Sequence, residues 1–242
     1  MTQLLSFQGN PDLRAGLLAQ MQAQARTGRL APVLLAGRLF PVFALGCPPE
    51  VPAGAAALSL PPELLQLGFY LFDGFPETLT ERRAFIELRR EMLAAFPVGQ
   101  DLSAAAGRFC YHLLKEPAFG VADLLHTPES AALRREVLDA LSADPCGAFL
   151  DADLRQRLQA EQSRQADKVT ALWRAEHRED RSILKTLRAL ETLAAVSRLP
   201  VDYRAAAEAV EKSIYGAFGV NAQPTSAKDD QLRALFKHVL AA

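Results

Sequence analysis

Apolar positions along this chain recur mostly three and four residues apart, the period of a helix packed on one side, and run together at strand length in one place only. Asn10 before Pro11 is a helix start, because Asn caps free N–H groups and Pro in the first turn loses no hydrogen bond. Leu13, Leu17, Leu18 and Met21 follow at helical spacing as far as Gly28, which predicts a helix over about 11–27. The runs Pro32-Val33-Leu34-Leu35 and Leu39-Phe40-Pro41-Val42-Phe43-Ala44-Leu45 then flank Ala36-Gly37-Arg38, the pattern of a β-hairpin turning at the glycine. Pro41 predicts an edge position for the second strand. From Cys47 to Gly54 the density of Pro and Gly predicts a loop.

Helical spacing then takes over. Pro61-Pro62-Glu63 opens a segment with Leu64, Leu67, Leu71 and Phe72 on one side, stopped at Asp73-Gly74-Phe75-Pro76. Thr78 and Glu81 form a capping box for a helix to about Phe96, with Phe85, Leu88, Met92 and Leu93 inward. A helix from about Leu102 to Lys115 carries Phe109, Cys110, Leu113 and Leu114, and another from Thr127-Pro128 carries Leu133, Val137, Leu138 and Leu141. Residues 151–198 contain no Pro or Gly and are rich in strong helix formers, so long helix is expected there. After Pro200 come a helix over about 202–218 and a last one after Pro224 with Leu232, Leu235, Phe236 and Leu240. The expected fold is mainly α: a helical bundle-like body with a small N-terminal β-hairpin over 1–145, and a long-helix C-terminal region over 146–242, the two either separate or one continuous domain.

Composition narrows the classes of function. The chain has 242 residues, half of them hydrophobic, enough to bury a core without disulfides or a metal. A formal net charge of −1 gives no global attraction to nucleic acid or anionic membrane, so such a partner must be met by a local patch. Cys47, Cys110 and Cys146 are widely spaced and odd in number, which fits a reducing compartment rather than a disulfide framework. The start MTQLLSFQGN lacks the features of a signal peptide, and no run approaches the roughly 18 apolar residues of a membrane span. A soluble cytoplasmic protein without membrane contact is expected.

Four stretches at turns and helix starts carry a resemblance: Ser6–Pro11 (SFQGNP), Leu60–Leu64 (LPPEL), Leu71–Pro76 (LFDGFP) and Phe96–Leu102 (FPVGQDL). In these the first half of the chain resembles a family of uncharacterised bacterial and phage proteins with an N-terminal helix and hairpin and a PVGxDL element. The resemblance implies a shared fold and no activity. The family's hairpin carries cysteine and histidine, whereas this one ends in Ala44-Leu45-Gly46-Cys47 with no histidine nearby, so no thiol or metal role carries over.

The most informative charges lie between Trp173 and Arg188. At about 100° per residue, Arg174, Arg178, Arg181, Lys185 and Arg188 share one helix face as a basic stripe. Opposite them Val169, Leu172, Ile183, Leu187, Leu190 and Ala194 form an apolar stripe, interrupted by Glu176 at its centre and Glu179 at its edge. Three readings stay open. A continuous helix pairs with a second copy, each copy's Glu176 meeting basic residues of the other, as suits a two-fold homodimer or, by the same surface, another protein. Alternatively the chain turns near Glu179-Asp180, with Asp180 capping a new helix, and the polar run is a connection. In the third, the arginines meet nucleic-acid phosphates, without the interleaved aromatics that such sites favour.

For catalysis the best gathering is Asp73 and Glu77 at the DGFPE turn, Asp101 after PVG, and His112 and His126, groups able to do acid–base work if they converge. No nucleophile-elbow, zinc-protease, phosphate-loop or dinucleotide motif anchors them. Asp101 serves equally as a helix cap. Cys110 beside His112 is expected to be a buried structural thiol on an apolar face. Glu176-His177 lacks metal-ligand spacing, and neither a metal nor a cofactor is expected. The favoured function is non-catalytic association through helix 169–194; the alternatives are a small-molecule or hydrolytic enzyme and a DNA- or RNA-associated helper.

Overall fold

The computed structural model describes residues 5–35, 37–41, 51–72, 78–119, 125, 127–146, 152–174, 187, 189–194 and 226–242. It is mainly α with a small antiparallel hairpin. The elements in chain order are α1 (Pro11–Thr27), β1 (Pro32–Leu35), β2 (Arg38–Pro41), α2 (Val51–Leu58), α3 (Pro62–Leu71), α4 (Leu79–Ala95), α5 (Ala105–Lys115), α6 (Pro128–Ala143), α7 (Ala152–Arg174) and α8 (Ser226–Ala241). Contacts group them into two compact units, Met1–Ala105 with Gln231–Ala242, and Ala106–Asp230. Among the described residues no helix is long and apolar enough to cross a membrane.

In the first unit the helix starts follow their capping residues. The Asn10 side chain accepts from the Asp12 N–H at 2.9 Å, and Thr78 and Glu81 exchange hydrogen bonds at 3.2 and 2.7 Å in a complete capping box. Gly28 ends α1 at φ 66°, a left-handed C-cap that glycine adopts without strain. Two expectations need correction. Val51–Gly54, the described part of the expected loop 47–54, opens a helix that runs to Leu58: Pro52 falls in its first turn, and burial of Val51, Ala55 and Leu58 rewards it. On α4 it is Arg89, not Leu88, that is buried, at 3% exposure. Its guanidinium donates to the Phe69 carbonyl at 2.8 Å and lies over the Phe69 and Phe85 rings at 4.2 and 5.0 Å, so the charge is both hydrogen-bonded and stacked.

The N-terminal residues are tied to the turn after α4. Ser6 N–H donates to the Gln100 carbonyl at 2.9 Å, Gly99 N–H to the Ser6 carbonyl at 3.0 Å, and the Ser6 hydroxyl to the Pro97 carbonyl at 2.6 Å. Phe7 and Gln8 sit at φ 52° and 56°, a left-handed conformation costing roughly 1–2 kcal/mol per residue. Full burial of the Phe7 ring and the Ser6 hydrogen bonds offset it. The centre of the unit is Phe236 from α8, whose ring meets Phe72 and Phe96 edge-to-face at 6.0 and 5.7 Å. Gly68 makes this approach possible, since a Cβ there would come within 3.0 Å of Phe236 and of the Met92 sulfur. Arg233 adds a hydrogen bond from Nε to the Leu71 carbonyl at 2.9 Å.

Helix α5, all but its first residue in the second unit, starts at Ala105 rather than near Leu102. Arg134 of α6 donates to the carbonyls of Leu114 and Lys115 at 2.8 and 3.2 Å, satisfying acceptors that the end of α5 leaves open. Thr127 caps α6 by accepting from the Ser130 N–H at 3.2 Å. Leu133, Val137 and Leu141 of α6 are buried, as are Leu154 and Leu158 of α7, and the two helices pack together. Helical residues 189–194 contribute Ala189, Leu190, Thr192 and Leu193 to the buried set.

Two outcomes follow. Phe236→Ala is expected to cost about 3–5 kcal/mol, the range for emptying an aromatic site in a core, read as a fall in the urea midpoint. Burial raises the Glu63 carboxyl above its ordinary range, against a smaller lowering by a backbone hydrogen bond. A raised folded pKa favours folding below the unfolded pKa, and that contribution is lost as pH rises through the folded value. Glu63→Gln should therefore raise Tm at pH 8 and change it little at pH 4; an offset independent of pH would contradict this.

Candidate interaction surface

Helix α7 carries the described part of the surface singled out in the sequence. Its buried positions are Leu154, Leu158, Glu161 and Gln165, spaced four, three and four residues apart, a single seam along the helix. The first two are apolar and the second two polar. Glu161 is only 4% exposed, and its carboxylate is satisfied within the helix. One oxygen accepts from Gln165 Nε2 at 2.7 Å, and the other from Arg164 through Nε at 2.7 Å and through a second guanidinium nitrogen. Arg164 itself is half exposed, so its countercharge reaches the seam from the solvent side. Its hydrogen bond to Glu161 raises the guanidinium pKa further.

One turn away Arg157 joins α7 to α6. Its Nη1 and Nη2 donate to the two Glu136 oxygens at 2.8 and 2.5 Å, and its Nε to Asp153 at 2.8 Å. The hydrogen bond from Arg157 holds the Glu136 carboxyl below its usual range. Between the two helices lies a shallow groove of about 440 Å³, floored by Ala132, Leu133 and Ala160 and bordered by Glu129, Arg157, Glu161 and Arg164.

Beyond Gln165 the described side chains of α7 are those of Ala166–Ala171. From Ala166 to Ala171 no residue is buried: Asp167, Lys168, Thr170 and Ala171 are exposed, and Ala166 and Val169 are half-buried. Val169 nevertheless stands four residues after Gln165, where the seam continues. Arg174 is the last described residue of α7. Glu176, Arg178, Arg181, Lys185 and Arg188 lie outside the described residues, as does the question of a turn at Glu179-Asp180.

Of the acid–base candidates, Asp73, Glu77 and His126 also lie outside the described residues. Asp101, in the first unit, is exposed and accepts from the Ser103 N–H at 3.0 Å. That backbone bond, with one from the Ser103 side chain, holds its carboxyl below the usual range. His112, in the second unit, contacts Glu116 one turn on, Nδ1 to Oε1 at 2.8 Å. Each is thus engaged by a neighbour in its own segment. Cys110 is fully buried, and desolvation pushes its thiol up to about 12, which leaves it protonated and inert at neutral pH. Among the described residues no three or more His, Cys, Asp or Glu side chains gather in a way that could hold a metal ion.

The buried Glu161–Gln165 pair was not anticipated, although its register with Leu154 and Leu158 was readable. Comparison with known proteins found no matching family model, curated protein or solved structure.

Glu161→Ala leaves the Gln165 amide buried without its acceptor and is expected to cost about 1–3 kcal/mol by urea titration. The double change Glu161→Leu with Gln165→Leu removes both polar groups and should be neutral or stabilising. If the double variant lost more than the single one, the pair would be worth more than its desolvation.

Proposed function

We propose that this chain is a non-catalytic association protein of the bacterial cytoplasm, which self-associates through the helix around 169–194 and offers the same surface to another macromolecule. The observation that carries this reading is the mismatch on α7 between pattern and burial. The seam of Leu154, Leu158, Glu161 and Gln165 runs on in the sequence through Val169 and Leu172, yet no residue from Ala166 to Ala171 is buried. Val169, the described seam position after Gln165, is only half-buried, and an apolar position left part-covered there suits a second helix from outside the chain, whereas Leu190 and Leu193 are covered within it. In a two-fold pair Glu176 of one copy meets the basic stripe of the other, Arg174, Arg178, Arg181, Lys185 and Arg188, so that one sequence supplies both complementary charges.

A reducing setting agrees with Cys110 and Cys146 being free thiols, one buried and one exposed.

Sedimentation across a concentration series is expected to give a mass approaching twice 26.4 kDa. Reversing Glu176→Lys with Arg178→Glu should weaken the dimer about tenfold or more, the loss expected when charged pairs across an interface become repulsive. A strict monomer at high concentration would sink the proposal, and a salt-sensitive complex with nucleic acid in its place would favour the phosphate reading of the same arginines.

A further inference from the structure

The hairpin in the first unit is asymmetric in how its two edges are treated. Its register pairs Val33 with Phe40, Leu34 with Leu39 and Leu35 with Arg38. Val33, Leu35 and Phe40 are buried on one face, while Leu34 and Leu39 on the other are 53% and 69% exposed. Gln20 of α1 stands beside β1 and takes both main-chain groups of Leu34: its Oε1 accepts from the Leu34 N–H at 2.8 Å, and its Nε2 donates to the Leu34 carbonyl at 3.2 Å. The amide thus does for β1 what a neighbouring strand would do. It also fixes the geometry of the ladder. Main-chain groups held by Gln20 point away from β2, so Leu34 and Leu39 are a non-hydrogen-bonded pair, and the Leu39 N–H and carbonyl point outward from the other edge.

We propose that this outer edge of β2 pairs antiparallel with β2 of a second copy, about a two-fold axis at Leu39. A donor and an acceptor on one residue, aimed the same way, are complementary to themselves under such an axis, and each Leu39 donates to the carbonyl of the other. The axis sets Arg38 of one copy opposite Phe40 of the other, so the two edge charges do not face each other; within each chain Arg38 lies 5.3 Å from the centroid of its own Phe40. Leu34 and Leu39 of both copies then form one continuous apolar strip on the exposed face. Pro41 has no N–H to give, which keeps the pairing short and centred on Leu39. This contact is separate from the one assigned to helix 169–194.

The test uses the full chain with Cys47 and Cys146 replaced by Ser, and Leu39→Cys or Leu34→Cys added singly. Across the two-fold the Leu39 Cα atoms stand about 5.5 Å apart, within disulfide reach, whereas the Leu34 atoms are three strand spacings apart, about 14 Å, and out of reach. Under oxidised glutathione the Leu39→Cys chain should form a covalent dimer at least tenfold faster than the Leu34→Cys chain. That ratio should persist when Glu176→Lys and Arg178→Glu are added, even as both rates fall. In the unsubstituted protein, amide exchange at Leu39 should slow about tenfold from dilute to concentrated solution, with Leu34 unchanged. Equal cross-linking at the two positions, no cross-linking at Leu39, or exchange at Leu39 independent of concentration would each overturn the pairing. Such a result leaves the helix-mediated dimer to stand or fall on its own charge-reversal test.

Discussion

The first unit depends on one close approach, that of the Phe236 ring to the backbone of α3 at Gly68. A Cβ at position 68 would press on the ring at 3.0 Å, so the ring or the Met92 side chain would have to give way, at the point where edge-to-face contacts to Phe72 and Phe96 join α8 to α3 and to the end of α4. Phe236 is a single residue far along the chain, so its contacts carry a closure cost that local helical packing does not. Arg233 and Lys237 flank it and reach the Leu71 carbonyl and Glu91, which fixes the rotation of α8 about the ring. The ring supplies the burial, and the two cations supply the register.

How much of this was legible in the sequence depended on distance. Signals confined to one turn, the Asn10 cap, the Thr78–Glu81 box and the Thr127-Pro128 start, correspond to observed helix ends because their hydrogen bonds close within a few residues. Helix α2 was missed because Pro and Gly were weighed by average propensity, while the proline occupies the one turn where it costs nothing. Arg89 was missed because a charge was assumed to face water; its stem is apolar and its head finds two rings and a carbonyl. The bonds from Ser6 to Pro97 and Gln100 span more than ninety residues, and no local pattern announces them.

The candidate surface shows the same division. Long helix at 152–174 followed from composition, and the absence of Pro and Gly was sufficient evidence for it. That its seam would turn polar at Glu161 was not read, since a Glu with an Arg three residues on resembles an ordinary solvent pair. Burial changes its meaning: the carboxylate must then be fully hydrogen-bonded, and Gln165 and Arg164 do this from the same helix. A seam satisfied internally places little demand on what packs against it, whereas an apolar position gains from being covered. The groove floored by Ala132 and Ala160 belongs to the first kind of surface, and Val169 to the second.

The grouping of Gln231–Ala242 with the first 105 residues has a consequence for how the molecule is made. On the ribosome α1 to α4 emerge first but lack the ring that completes their core, and they wait while the whole of Ala106–Asp230 is synthesised. The second unit has all its residues in one run and can close as soon as they are free of the tunnel. The core around Phe72 and Phe96 is therefore completed by a residue that is made only after more than half the chain has followed them.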